Sequence, residues 1–416
     1  MISTQDNATN FIQRLNTAVK SLTNGQAPAW LSEIRQQGLS RFNELGIPTV
    51  KDEEWKYTNL APLVKHTFEL IQDGKLVERE QLNQYCSQSD LNVVFVNGIF
   101  SEELSNLLGI PEGITISTLH DAIKNHSLQI EKRQAHYKTK SEAAFVALNR
   151  ALSHQGAYIA IDDKIIHAGL IHIIYVTSAG NKNTVSVPQT LINAGKSSET
   201  TVLESYMAFN DQATYFSNAL TDIFIEENAT VHYGKFQKES LKAFHIGTTR
   251  VWQERDSNFD GFTLTAGSQL TRNNLDITLN GEGASAILNG LYAIYKDQHV
   301  DNHTSVDHRV PNCTSNQLYK GILNDNARAV FNGKIFVRPI AQQTNSYQLN
   351  KNLLLGNASR VDTKPQLEIF ADDVKCTHGA TIGQLDTDQM FYLQTRCIHR
   401  KTATIMLVHG FVDDLF

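Results

Sequence analysis

Between residues 157 and 370 the chain shows no helical period, and this constrains its fold more than any other feature. Apolar residues instead fall in short runs, some alternating and some continuous, such as Tyr158-Ile159-Ala160-Ile161, residues 165–176, Asp222-Ile223-Phe224-Ile225, residues 275–279 and Lys334-Ile335-Phe336-Val337. The runs are rich in β-branched and aromatic residues and end in Gly, Asn, Asp or Ser, as strands closed by turns do. Four corners recur: Glu227-Asn228-Ala229-Thr230, Gly281-Glu282-Gly283-Ala284, Asn324-Asp325-Asn326-Ala327 and Gly356-Asn357-Ala358-Ser359. Gly and Asn tolerate the left-handed backbone of a corner, and a small residue after it lets layers stack. The offsets from 228 to 283, 326 and 357 are 55, 43 and 31 residues, the range of one or two solenoid coils. The pattern predicts a mainly β fold with a right-handed parallel β-helix core, a β-sandwich being the alternative.

The flanks have a different period. Residues 1–140 read as a mainly helical region, with an amphipathic stripe of Phe11, Leu15, Val19 and Leu22. A buried strand is predicted at Val93-Val94-Phe95-Val96, then a short helix over residues 101–108 stopped by Gly109. A stronger helix over residues 141–152 leads into the β-helix core, placed at 141–382. Residues 383–416 read as a C-terminal helical region, with helices around Met390 to Gln394 and Ala403 to Phe411.

A formal charge of −6 gives no electrostatic case for nucleic acid or an anionic membrane. The four cysteines, Cys86, Cys313, Cys376 and Cys397, are far apart and show no CxxC spacing. That argues against a disulfide framework and for a reducing compartment. Residues 1–15 lack a basic start followed by an apolar block, so no leader is expected, and no run is long and apolar enough to span a bilayer. A cytoplasmic chain is the expectation.

Catalytic signatures are sparse. Ala194-Gly195-Lys196-Ser197 imitates the end of a Walker A loop, but Thr190 stands where its first glycine belongs. His299, Asp301 and His303 would share one face of a strand and His308 the other; buried Asp–His pairing explains them as well as a metal does. Cys397 and His399 lie two apart in a helical setting, where their side chains diverge. In Asp372-Asp373-Val374-Lys375-Cys376-Thr377-His378, an extended backbone puts Asp372, Val374, Cys376 and His378 on one face, beside an expected glycine-rich turn over 379–383. A small buried thiol and a core histidine account for that pair as readily as a metal half-site.

Taken together, a longer series of motifs carries a resemblance. It includes Glu54-Trp55-Lys56-Tyr57-Thr58, Phe244-His245-Ile246, Leu288-Asn289-Gly290-Leu291-Tyr292, Val300-Asp301-Asn302-His303-Thr304, Pro311-Asn312-Cys313-Thr314-Ser315, Tyr319-Lys320-Gly321-Ile322-Leu323, Phe331-Asn332-Gly333-Lys334-Ile335, Cys376-Thr377-His378-Gly379-Ala380-Thr381 and Phe391-Tyr392-Leu393-Gln394. In order and over nearly the whole chain, this series resembles the SufB/SufD family of iron-sulfur cluster assembly proteins, and looks like SufD more than SufB.

The resemblance implies a parallel β-helix between helical ends and a non-catalytic scaffold role. It implies pairing with SufB, docking of the SufC ATPase on the C-terminal helical region, and a transient iron-sulfur cluster or iron at the SufB–SufD interface. His378 matches the family's proposed assembly ligand and Cys376 its neighbouring motif cysteine. Leu393 stands where SufB would have its interface cysteine, so SufB must supply that thiolate. No tightly bound cofactor is expected in the isolated chain, for which a homodimer stays open. Two departures stand out: Cys397 replaces the usual glycine of the Arg-Gly-Ile motif, and relatives commonly extend one helix beyond Phe416. Two rival readings are a β-helix carbohydrate-active enzyme using Asp301, Asp307 and Tyr319, and a purely structural partner without a metal role.

Overall fold

The structure is a computed structural model that describes residues 28–70, 77–86, 91–135, 143–152, 155–178 and 183–415. The amphipathic stripe from Phe11 to Leu22 lies outside them.

From residue 157 onward the chain alternates between two long sheets. One stacks Ala157–Ile161, Gln189–Ala194, Tyr215–Ile225, Phe244–Gln253, Leu270–Leu279, His299–His308, Arg328–Val337 and Arg360–Ile369. The other stacks Ile166–Thr177, Glu199–Ala208, Thr230–Lys238, Asn258–Thr265, Ser285–Ile294, Thr314–Leu323, Thr344–Leu354 and Val374–Gly383. Neighbours within a sheet are parallel and separated in sequence by one strand of the other sheet. That is a parallel β-helix, with its apolar core between the sheets, from Ile159 and Ile173 through Val306 and Phe331.

The corners explain the irregular offsets. Lys164, Ser197, Asn228, Asp256, Gly283, Asn312 and Gln343 all have positive φ and follow one another at 27 to 33 residues. In this column Ser197, Asn228, Asp256 and Asn312 each donate a backbone N–H to the corner of the next coil, as Asn228 does to Arg255 O at 2.8 Å. The residue after each left-handed position turns inward and is small in the middle coils: Ser198, Ala229, Ser257, Ala284 and Cys313, all buried. Cys313 is therefore a stacking residue. A second column holds Ser268, Lys296 and Asp325. Asn228 and Gly283 belong to the first column and the other two predicted corners to the second, so the offsets mix two regular series.

The N-terminal region packs on both sheets, its helices mainly on the first and residues 77–86 on the second. Helix Ala29–Leu45 crosses helix Ala144–Leu152 so closely at Gly38 that a Cβ there would come within 2.7 Å of Ala147 O. All nine residues of Ala144–Leu152 are buried, beyond the single apolar face expected of it. The strand Leu91–Val96 forms as predicted and extends the second sheet.

Two expectations fail. Residues 101–108 form turns, because Ser105 spends its hydroxyl on Ser101 O (2.6 Å) and Asn106 pairs with Asn92 as an isolated bridge. Residues 379–383 are not a turn: they complete the strand Val374–Gly383, held in register from Leu349↔Gly379 to Leu353↔Gly383. Helices Thr387–Thr395 and Arg400–Val412 close the described chain. No helix among the described residues is long and apolar enough to cross a membrane.

Candidate functional site at the open end of the solenoid

Strand Val374–Gly383 is the last of its sheet, and Arg360–Ile369 the last of the other. Among the described residues, both therefore present an unpaired row of backbone N–H and C=O groups. Cys376 pairs in register with Ser346 and His378 with Gln348. Ser346 and Gln348 face the interior and are buried. Cys376 and His378 thus continue an inward-facing row, but no further coil among the described residues covers them. With a rise of about 3.3 Å per residue, they lie roughly 7 Å apart along one face.

Their surroundings differ. Cys376 packs with Val374 against Ile335, Val337, Ala341 and Ala371, and burial pushes its thiol up from the usual range. His378 is exposed. On the facing strand the inward row is Val361, Thr363, Pro365 and Leu367, read from its pairing with Ala329, Phe331, Gly333 and Ile335. Thr363 Oγ1 and Gln348 Oε1 are buried with no hydrogen-bond partner among the described residues. Buried polar atoms without a partner also occur along the inner coils, as at Asn193, Thr200 and Gln253, so these two do not by themselves mark the end of the stack. Ile369, Phe370 and Ile382 are exposed beside them.

A polar ladder that the strand pattern did not reveal leads to this end from inside. Thr304 Oγ1 donates to Gln317 Oε1 (2.7 Å), which also accepts from Gln348 Nε2 (3.3 Å). His308 Nε2 bonds Ser315 Oγ (2.9 Å), itself 2.7 Å from Ser346 Oγ. His308 is thereby accounted for as an interior residue, with burial pushing its imidazole down to about 4. The signal was present as Ser, Asn and Gln at alternate positions of residues 315–352. Polar residues in strands ordinarily read as solvent-facing.

The other sequence candidates separate from this end. His299, Asp301 and His303 share one face as predicted, and it is the outward one, where they fasten the segment Glu54-Trp55-Lys56-Tyr57-Thr58. Thr58 Oγ1 donates to Asp301 Oδ2 (2.5 Å), so the contact of 2.9 Å with His299 has Nε2–H as donor. Arg272 Nη1 donates to Asp301 (2.6 Å) and to Glu54 O (2.8 Å), while its guanidinium lies over the Trp55 ring. His303 bridges Asp301 and Glu54 at 3.0 and 3.3 Å. Burial opposes ionisation of Asp301, but Arg272 and His303 outweigh it and hold the carboxyl well below its usual range.

Lys196 N donates to Asp163 Oδ1 (2.7 Å), so a carboxylate stands where a Walker loop would hold phosphate. Asp307 is clamped by Arg309 and Arg338, and Tyr319 is buried inside the opposite sheet, so no groove brings Asp301, Asp307 and Tyr319 together. Cys397 is exposed, and His399 accepts from Lys401 N as the cap of the last helix. Among the described residues no group of three or more His, Cys, Asp or Glu side chains is placed to hold a metal ion. Cys376 and His378 are a two-residue set, with thiol and imidazole donors that suit iron.

Comparison with known proteins agrees with this architecture. Residues 175–411 match the family model described as SUF system FeS cluster assembly, SufBD core domain, and residues 5–173 match the SufBD protein N-terminal region. The chain is 31% identical to an iron-sulfur cluster assembly SufBD family protein of Synechocystis, covering 95% of this chain and 89% of that one. It is 30% identical to the iron-sulfur cluster assembly protein SufD of Escherichia coli, covering 91% and 87%. With the SufD of Bacillus subtilis the identity is 25%, over 93% and 90%. Both halves of the chain and its open-ended β-helix thus place it in the SufBD family of iron-sulfur cluster assembly proteins, with SufD among its relatives along nearly the full length.

Proposed function

We propose that the chain is the SufD-like scaffold subunit of a SufBCD complex, pairing with SufB through the open end of the β-helix. The carrying observation is that Cys376 and His378 extend an interior row beyond the last covered coil. A second chain stacked there satisfies the two unpaired sheet edges and covers Ile369, Phe370 and Ile382. It also completes the ligand set, with SufB supplying the thiolate that Leu393 does not. Iron and sulfide are cargo here: two donors from one chain bind a nascent cluster without trapping it. The exposed Phe391, Tyr392, Ile405 and Met406 on the terminal helices supply the docking face for the SufC ATPase, to which the catalytic activity belongs. The place of this work is the cytoplasm, where thiols stay reduced.

Co-purification with SufB and SufC, followed by iron and acid-labile sulfide analysis, tests the reading. Wild type is expected to yield a complex that gains both; His378→Ala is expected to keep the complex and lose most of its cluster. An undiminished cluster in the mutant complex leaves this chain as a structural partner only. That second reading draws on one observation: Cys376 is half-buried against Ile335, Val337, Ala341 and Ala371, as a packing residue would be.

A further inference from the structure

Lys320 sits on the outward face of Thr314–Leu323, yet its side chain is only 3% exposed. The end of helix Arg400–Val412 buries it. Its ammonium donates to Phe411 O and to the Asp414 carboxylate, and it lies 4.9 Å from the centre of the Phe411 ring. Asp414 also stands 3.8 Å from Lys351 Nζ, and Leu415 beside it is buried. Elsewhere the two terminal helices touch little: within them, Ala403 alone is buried.

The register makes this contact informative. Lys320 pairs with Lys351 and Lys351 with Thr381, so one outward row crosses to the edge strand three residues past His378. The helical pair is therefore attached twice. Its first helix follows directly from the edge strand that carries Cys376 and His378. Its far end is fastened by Lys320 to a strand two places inward.

Such an ion pair has uneven energetics. Deleting Asp414 strands the buried Lys320 ammonium in a poorly hydrated place and is severe, whereas opening the pair as a unit returns Lys320 to water, where the Asp414 carboxylate, 55% exposed, largely stands already, and costs little. A fastening of that kind holds firmly against loss of one side and still opens reversibly.

We propose that Lys320–Asp414 is a latch coupling the position of the C-terminal helical pair to the order of the edge strand Val374–Gly383. Closed, the latch pins the pair against the outward row and steadies the end of the strand beside Thr381. Open, the pair swings on residues 384–386, and the strand keeps only its ladder to Thr344–Leu354. The latch consists of contacts within this chain and does not rest on the ligand or partner roles proposed above.

Hydrogen–deuterium exchange of the full chain, without partners or metal, tests it. In Asp414→Asn, exchange is expected to rise about tenfold or more both in residues 409–415 and in residues 374–383. In the double variant Lys320→Met with Asp414→Asn, an apolar side chain replaces the stranded ammonium, and both segments are expected to return to wild-type rates. Faster exchange confined to 409–415, no change in either segment, or a double variant as fast as the single one overturns the latch.

Discussion

Gln348 and His378 occupy the same inward-facing row on adjacent paired strands, yet the first is fully buried and the second exposed. One coil of cover separates an interior amide from a free imidazole. Replacing them should therefore have opposite consequences. Gln348→Ala removes the donor to Gln317 and opens a cavity, at a cost of about 2 kcal/mol in urea unfolding. His378→Ala should stay within about 0.5 kcal/mol of wild type, as exposed substitutions do. A large loss for His378→Ala would mean that the end of the β-helix is covered within the isolated chain.

The three thiols whose surroundings are fully described should differ in reactivity. Cys397 is exposed, Cys376 is half-buried with its thiol raised by burial, and Cys313 is buried at a corner with its thiol pushed up to about 11. Thiolate fraction and access both govern alkylation. Timed iodoacetamide labelling of the native chain near pH 8, read by peptide mass spectrometry, should follow the order Cys397, Cys376, Cys313. Labelling of Cys313 before Cys376 would contradict the assigned stacking role.

Much of this was legible in sequence because period two survives translation into structure. The alternation that put Cys376 and His378 on one face, and His299, Asp301 and His303 on another, holds in both strands. The coil length was not legible. Beside Asn, Asp and Gly, the left-handed corner positions are filled by Lys164, Ser197 and Gln343, which have no strong left-handed preference. Hydrogen bonds from one coil to the next impose that conformation, and a local window cannot contain them. Gly379 and Gly383 misled for the same reason, since pairing with Leu349 and Leu353 keeps them extended. The site was legible as a pair of donors but not as an end, because exposure of that row depends on where the stacking stops.

Stability should fall as the solution is acidified from about pH 6.5 to pH 4. Burial lowers His172 and His308 each to about 4, from an unfolded value near 6.5. Their folded values are depressed, so the stability tied to their neutral forms is complete above pH 6.5 and lost as pH falls toward 4. Each contributes up to about 3 kcal/mol over that window. Asp301, also depressed, adds its loss only below about pH 4, the unfolded carboxyl value. His308→Gln keeps a polar group near Ser315 but cannot take up the proton. Its unfolding midpoint should change less between pH 6.5 and 4 than that of wild type, and an equal slope would remove His308 from the explanation.

Cys397 has φ of +62°, at the turn where Cys397 N donates to Gln394 O (3.0 Å) and Ile398 N to Leu393 O (3.2 Å). This is a left-handed helix terminus, the position at which glycine is favoured. A side chain with a Cβ pays about 1 kcal/mol for that backbone. The exposed thiol makes no hydrogen bond among the described residues that would offset it. Cys397→Gly should therefore stabilise the turn between the two terminal helices by up to about 1 kcal/mol, partly offset by the greater freedom of glycine in the unfolded chain. The gain belongs to the helical pair, so exchange protection around residues 390–400 is the sensitive readout, with whole-chain melting moving little. Reduced protection there would show that Cys397 holds the turn through its side chain, and the strain assigned to it would have to be withdrawn.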